Sequence, residues 1–163
     1  MSITYLKGDA TVPQAAGPKL IVHIVNTLGG WGAGFVVAIS RRWPEPEFEY
    51  RVWHRLKQHE AVYGRDKSFK LGHVQVIQVK PDIWICNMLA QQGMREGSKG
   101  PPVRYAAVAK SLETVAVLAA EKKASVHMPR IGCGLGGGRW EIIEPLIVET
   151  LCDQELPVYV YDI

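Results

Sequence analysis

The residues best suited to chemistry lie in two glycine-rich stretches, each placed after a short apolar run. The first is Asn26-Thr27-Leu28-Gly29-Gly30-Trp31-Gly32-Ala33-Gly34-Phe35, and the second is Pro129-Arg130-Ile131-Gly132-Cys133-Gly134-Leu135-Gly136-Gly137-Gly138. Glycine lacks a Cβ, so such loops reach positive φ and bring backbone N–H groups close to a ligand, which suits a phosphate. A turn with no ligand is the alternative for either loop alone. Neither loop ends in the Lys-Ser or Lys-Thr of an ATP-binding P-loop. Gly30-Trp31-Gly32 opens a G-x-G, but Phe35 stands where a dinucleotide fingerprint needs its third glycine. ATP and NAD are therefore disfavoured. Two polar residues stand nearby in the pattern. Asp9 follows the first apolar run, where its carboxylate either accepts from a base amino group or caps the next turn. His23 interrupts the run Lys19–Val25, as a satisfied core residue or as a general acid or base.

These residues need elements to position them. Ile3–Leu6 reads as a short edge strand, and Lys19–Val25 as a buried one, being nearly continuous in apolar and β-branched residues. Phe35, Val36 and Ile39 recur at helical spacing until Pro44 restricts Trp43, so a helix ends near Arg42 with its N-terminus aimed into the first glycine loop. Glu45–Glu60 carries Phe48, Val52 and Leu56 four apart, predicting a surface helix resting on that face. Val74–Val79 and Ile83–Leu89 form a hairpin about Lys80-Pro81-Asp82, and 90–102 is a loop. Pro102 is placed to start the clearest helix, whose stripe Tyr105, Val108, Leu112, Val115 and Ala119 runs to about Lys122. Ser125–Met128 is the strand feeding the second glycine loop. A final helix carries Trp140, Ile143, Leu146 and Ile147, with its regular turns expected only from Pro145. Pro157–Tyr161 closes the order as a strand. The alternation predicts an α/β fold with helices layered on a mixed sheet, and ligands of open α/β sheets sit outside the carboxyl ends of strands. Both glycine loops can then face one crevice.

The chain has 163 residues and 47% hydrophobic content, which predicts one domain with a sizeable core. Its net charge is +3, from 19 basic and 16 acidic residues spread along the chain without a basic arm, so specific nucleic-acid binding is not implied. Cys86, Cys133 and Cys152 show no C-x-x-C spacing, so neither a disulfide framework nor a metal site is expected, and a reducing cytoplasmic setting fits them. The apolar stretches are strand-sized, which predicts no signal peptide and no membrane contact.

The pieces together resemble the macrodomain family of ADP-ribose-binding modules. The resemblance spans nearly the whole chain: Gly8-Asp9-Ala10-Thr11, Asn26 with Gly30-Trp31-Gly32-Ala33-Gly34, Met128-Pro129-Arg130-Ile131-Gly132-Cys133-Gly134-Leu135, and Val158-Tyr159-Val160-Tyr161. It implies a three-layer α/β/α domain with a mixed central sheet. It also implies that Asp9, with Ala10 beside it, receives the adenine amino group and that Tyr161 lies near the adenine ring. Pro129 and Ile131 would touch ADP-ribose, and the run Gly132, Cys133, Gly134, Leu135, Gly136 and Gly137 would cradle the diphosphate. Asn26, Thr27, Gly30, Trp31, Gly32, Gly34 and Phe35 would hold the distal ribose. The second glycine stretch looks most like the branch that removes ADP-ribose from glutamate and aspartate. The first fifty residues, His23 included, also look like ADP-ribose 1″-phosphate phosphatases.

The departures from that branch are instructive. Relatives carry a lysine where this chain has Gln91, and an aspartate where it has Gly136. Covalent catalysis by a lysine amine is disfavoured, because glutamine is no nucleophile and glycine offers no acid or base. The resulting expectation is hydrolysis of the ester between ADP-ribose and an acidic side chain by water attack, with Asn26 and Gln91 as catalytic candidates. The alternatives are phosphatase action with His23 as acid or base, and a non-catalytic reader. Lys99 is the nearest downstream lysine. The expected partner is ADP-ribose or an ADP-ribosylated protein, bound by a monomer without cofactor or metal.

Overall fold

The computed structural model describes residues 2–93 and 101–163. Lys99 and much of the loop expected over 90–102 fall outside them. In chain order the elements are β1 (Thr4–Lys7), β2 (Lys19–Asn26), α1 (Phe35–Arg42), α2 (Glu45–Leu56), β3 (Val74–Lys80), β4 (Ile83–Gln91), α3 (Tyr105–Lys122), β5 (Ser125–Met128), α4 (Trp140–Thr150), a 3₁₀ turn at Cys152–Gln154 and β6 (Val158–Asp162). The strands form a six-stranded sheet in the order β1-β6-β5-β2-β4-β3. Only the β3–β4 hairpin is antiparallel; the other pairings are parallel. Five strands therefore point the same way, and the loops after β1, β2, β4 and β5 gather at one end of the sheet.

Both faces of the central strands are buried, which is why β2 reads as a continuous apolar run. On one face Leu20, Val22 and Met88 pack with Val108 and Leu112 of α3 and Ile143 and Ile147 of α4. On the other, Ile21, Val25, Ile85 and Leu89 meet Ile39 of α1 and Tyr50 and Trp53 of α2. The result is the expected α/β/α layering around a mixed sheet.

Three expectations about helices are corrected. In α2 the buried side is Pro46, Tyr50 and Trp53, while Phe48 and Leu56 are 64% and 59% exposed. The larger aromatic area of Tyr50 and Trp53 takes the core side, and Phe48 and Leu56 are left in solvent. Pro102 does not begin α3, which starts three residues later with Arg104 as its N-cap. Its carbonyl instead accepts from Gln92 N–H at 2.8 Å, tying the start of α3 to the end of β4. Pro145 lies inside α4 without delaying it. The missing N–H forfeits one bond in the second turn, and Ile143 and Ile147 in the core outweigh it.

Candidate functional site

A cleft of about 270 Å³ opens at the carboxyl ends of β2, β4 and β5, between the two glycine loops. His23, Asn26, Gly30, Trp31, Gly32, Gly34, Phe35 and Gln91 form one side, and Pro129, Ile131, Gly132, Gly134, Leu135 and Gly136 the other. Ala33, Val36 and Arg130 also line it, and were not singled out as binding residues. Ala33 and Arg130 lie inside the two loops quoted above, and Val36 opens α1, so position relative to the glycines was the available signal. Asp9, Ala10, Thr27, Cys133, Gly137 and Tyr161 do not border this cleft.

The second loop is folded on itself. Gly138 N–H donates to Gly132 O at 2.7 Å and Gly137 N–H to Gly134 O at 3.1 Å. A Cβ on Gly138 would stand 2.6 Å from Gly132 O, and one on Gly136 would stand 2.9 Å from it. Gly132 and Gly137 take φ of +73° and +68°, whereas Gly134 has neither positive φ nor a near neighbour. The glycines that the loop requires are thus 132, 136, 137 and 138, and Gly138 was missed because its constraint is contact with its own loop. Among the described residues no acceptor is recorded for the N–H groups of Gly134, Leu135 and Gly136. Three successive free donors make an anion-binding concavity.

Across the cleft, α1 begins at Gly34, whose φ is +85° and which offers no side-chain cap. Val37 N–H donates back to Gly34 O at 3.1 Å, while those of Phe35 and Val36, both lining the cleft, have no acceptor among the described residues, and the helix dipole favours negative charge there. Arg130 adds little free charge. Its guanidinium lies between the rings of Tyr5 and Trp140 at 5.2 and 5.1 Å, and pairs with both carboxylate oxygens of Asp162 at 2.7 and 3.0 Å. That pairing lowers the Asp162 carboxyl below its ordinary value. Backbone donors outnumber free cations in this cleft.

Asn26 shapes the first loop. Its Oδ1 accepts from Leu28 N–H at 2.9 Å and Gly30 N–H at 3.2 Å, and its Nδ2 donates to Gly30 O at 2.9 Å. One amide hydrogen is left over. Tyr50 hydroxyl, wholly buried, donates to Asn26 O at 2.5 Å, and burial pushes its pKa upward. Behind the loop, Arg51 Nη1 donates to Gly29 O at 2.9 Å. Thr27 turns outward from the cleft, its hydroxyl accepting from Gly93 N–H at 3.0 Å.

A register shift between Val25 and Asn26 brings Gln91 level with Asn26 on the neighbouring strand. Bulges of this kind re-aim side chains beside active sites. Gln91 Nε2 donates to Gly93 O at 3.0 Å, and its Oε1 would stand 3.0 Å from a Cβ on residue 136. The two departures from the lysine and aspartate pattern are therefore in contact: the glutamine carbonyl occupies the space against Gly136. No donor to that oxygen is recorded among the described residues.

At the adenine end expected from the family, Asp9 Oδ1 accepts from the N–H and hydroxyl of Thr11 at 2.8 and 2.7 Å. The turn-capping geometry is present, and the second carboxylate oxygen has no partner among the described residues. Tyr161 hydroxyl accepts from Gln14 N–H at 2.8 Å and meets His127 Nδ1 at 2.8 Å. His127 stacks on Tyr159, and burial lowers its pKa to about 4. The Tyr161 hydroxyl is thus committed within the protein, and the residue as a whole is buried.

Comparison with known proteins follows this geometry. No family model matches the chain. A solved macrodomain protein from Streptomyces coelicolor is 50% identical, covers 99% of both chains and superposes with a TM-score of 0.84. The chain belongs to the macrodomain family. The macrodomain is also 31% identical over 98% of its length to the mouse protein named Chromodomain-helicase-DNA-binding protein 1-like, but spans only 18% of that protein. It is 30% identical over 95% of its length to a DNA ADP-ribosyl glycohydrolase of Mycobacterium tuberculosis, spanning 40% of it. An ADP-ribose 1″-phosphate phosphatase of Lodderomyces elongisporus matches at 25% identity over 99% of the macrodomain and 100% of its own length.

Proposed function

We propose that this macrodomain binds ADP-ribose and hydrolyses the ester joining it to an acidic side chain, by water attack at the anomeric carbon of the distal ribose. The observation that carries the reading is the Asn26–Gln91 pair, level on adjacent strands at the cleft end, where among the described residues one amide hydrogen of Asn26 and the side-chain carbonyl of Gln91 have no partner. A donor and an acceptor side by side hold a water by both its lone pair and its proton. The diphosphate would lie on the free N–H groups of 134–136 and the start of α1. Asp9 would receive the adenine amino group on its free oxygen, beside the Tyr161 ring. Relatives named for ADP-ribose chemistry support the same ligand.

The described lining residues, with His23 neutral near pH 7, supply no general acid, which favours the ester over other linkages. A carboxylate leaving group has a low pKa and departs without a proton, so no general acid is required. In the step, water oxygen bonds to the anomeric carbon, the bond from that carbon to the ester oxygen breaks, and the carboxylate keeps the electron pair. The water's proton passes to solvent. Phosphatase action by His23 as an acid fits poorly, since burial lowers its pKa to about 4 and leaves the ring neutral near pH 7.

The test is turnover of a glutamate-ADP-ribosylated protein in ¹⁸O-labelled water. The label is expected in the released ADP-ribose. Label in the glutamate would mean attack at the ester carbonyl and would end the proposed mechanism. Binding without release identifies a reader, and phosphate release from the 1″-phosphate identifies the phosphatase.

A further inference from the structure

We propose that Nδ1 of His23 accepts a hydrogen bond from a hydroxyl of the distal ribose, and that Asn87 and Gln75 are positioning residues holding the lone pair on that nitrogen. The proposal rests on the ADP-ribose reading of the cleft and deepens it at its floor. His23 lines the cleft and is 2% exposed. Its Nε2 meets Asn87 Oδ1, while Nδ1 is buried with no hydrogen-bond partner among the described residues. An unsatisfied buried polar atom is costly and rare in a folded protein, so its persistence beside a cleft calls for a donor that arrives with the ligand.

The ring's tautomer is decided by a chain of amides. Gln75 Nε2 donates to Glu49 O at 2.9 Å, which fixes Gln75 Oε1 as the acceptor facing Asn87. Asn87 Nδ2 donates to that oxygen at 3.0 Å and to Pro46 O at 3.3 Å. Asn87 Oδ1 therefore faces His23 as an acceptor, and His23 Nε2 must carry the proton. In the neutral ring Nδ1 is then an acceptor only. Burial keeps the ring neutral near pH 7. Trp31 and Phe35 flank it at ring distances of 5.2 and 5.9 Å. The Trp31 indole N–H is committed to Ser40 Oγ at 2.6 Å and supplies no donor to it. The Phe35 ring is only half-buried and lines the cleft beside it. Both aromatic residues belong to the loop that the family resemblance assigns to the distal ribose.

The experiment is two-bond ¹H–¹⁵N correlation spectroscopy of the histidine rings in the full chain at pH 7, with ADP-ribose and with ADP, which lacks the distal ribose. In the free protein Nε2 of His23 is expected to be protonated. Saturating ADP-ribose is expected to move the Nδ1 resonance toward the value of a hydrogen-bonded nitrogen, and ADP to leave it in place. A proton on Nδ1 in the free protein, an Nδ1 unmoved by ADP-ribose, or an equal movement with ADP would each overturn the proposal. Failure of ADP-ribose to bind in calorimetry would overturn the functional reading itself, so the two failures are distinguishable. His23→Phe is expected to reduce the preference for ADP-ribose over ADP about 5-fold to 10-fold, the usual worth of one neutral hydrogen bond, with ADP affinity unchanged. Asn87→Leu is expected to release the tautomer, visible as mixed protonation of the two ring nitrogens; an unchanged Nε2–H signal would show that Asn87 does not position it.

Discussion

At the scale of single residues, the proposed water mechanism gives Gln91 a part in the reaction and none in holding the diphosphate. Gln91→Ala removes the acceptor for the attacking water but none of the N–H groups of 134–136. Turnover should therefore fall by about 10-fold to 100-fold with little change in ADP-ribose affinity, a pattern that single-turnover kinetics and calorimetry together resolve. Equal losses in both would make Gln91 a binding residue. Asp9 caps the turn at Thr11 through one oxygen, and the proposed function gives the adenine amino group to the other, which has no partner among the described residues. Asp9→Asn can keep the cap through its carbonyl while replacing the free acceptor with an amide. ADP-ribose affinity should fall by about 1–3 kcal/mol with an unchanged melting temperature. A fall in melting temperature with unchanged affinity would leave Asp9 as a turn cap only.

At the scale of elements, the glycine loop after β5 divides its glycines by what surrounds them. Gly138→Ala would set a Cβ 2.6 Å from Gly132 O and should unseat the loop, lowering both thermal stability and ADP-ribose affinity. Gly134 stands in open space, so Gly134→Ala should shift stability by less than about 0.5 kcal/mol. Comparing the two variants by denaturation and calorimetry checks the assignment. Sequence alone marks the loop as glycine-rich but not which glycines it needs, because the deciding neighbour of residue 138 is a carbonyl six positions earlier. The face of α2 was misread for a related reason. Phe48, Val52 and Leu56 satisfy helical spacing as well as Pro46, Tyr50 and Trp53 do, and only the bulk of the neighbouring sheet and α1 selects between them. Strands were legible, since β2 is buried on both faces and reads as a nearly continuous apolar run, and β5 is short and placed just before the second glycine loop. The register shift that brings Gln91 beside Asn26 has no signature in either strand.

At the scale of the whole molecule, two buried histidines set how stability follows pH. Burial lowers His23 and His127 each to about 4, below the value near 6.5 of an unfolded histidine. The unfolded chain binds more protons between these values, so their contribution is fully present above about pH 6.5 and is lost as pH falls toward 4. Each can contribute a slope of up to about 1.4 kcal/mol per pH unit in that window. Urea denaturation at pH 7, 6 and 5 should show the midpoint falling at each step. A flat midpoint across that range would mean that neither ring stays neutral in the folded protein as the pH falls. The second layer of helices carries a different consequence. Tyr50 and Arg51 of α2 hold the backbone of Asn26 and Gly29, and the ring of His54 lies where any side chain on Gly29 would go. None of the three lines the cleft. A ligand gripped by the first glycine loop therefore also opposes local opening of α2, because the helix cannot fray at these residues without releasing the loop. Amide hydrogens of α2 should exchange with deuterium more slowly once ADP-ribose is bound, while those of α3, on the far side of the sheet, keep their rate.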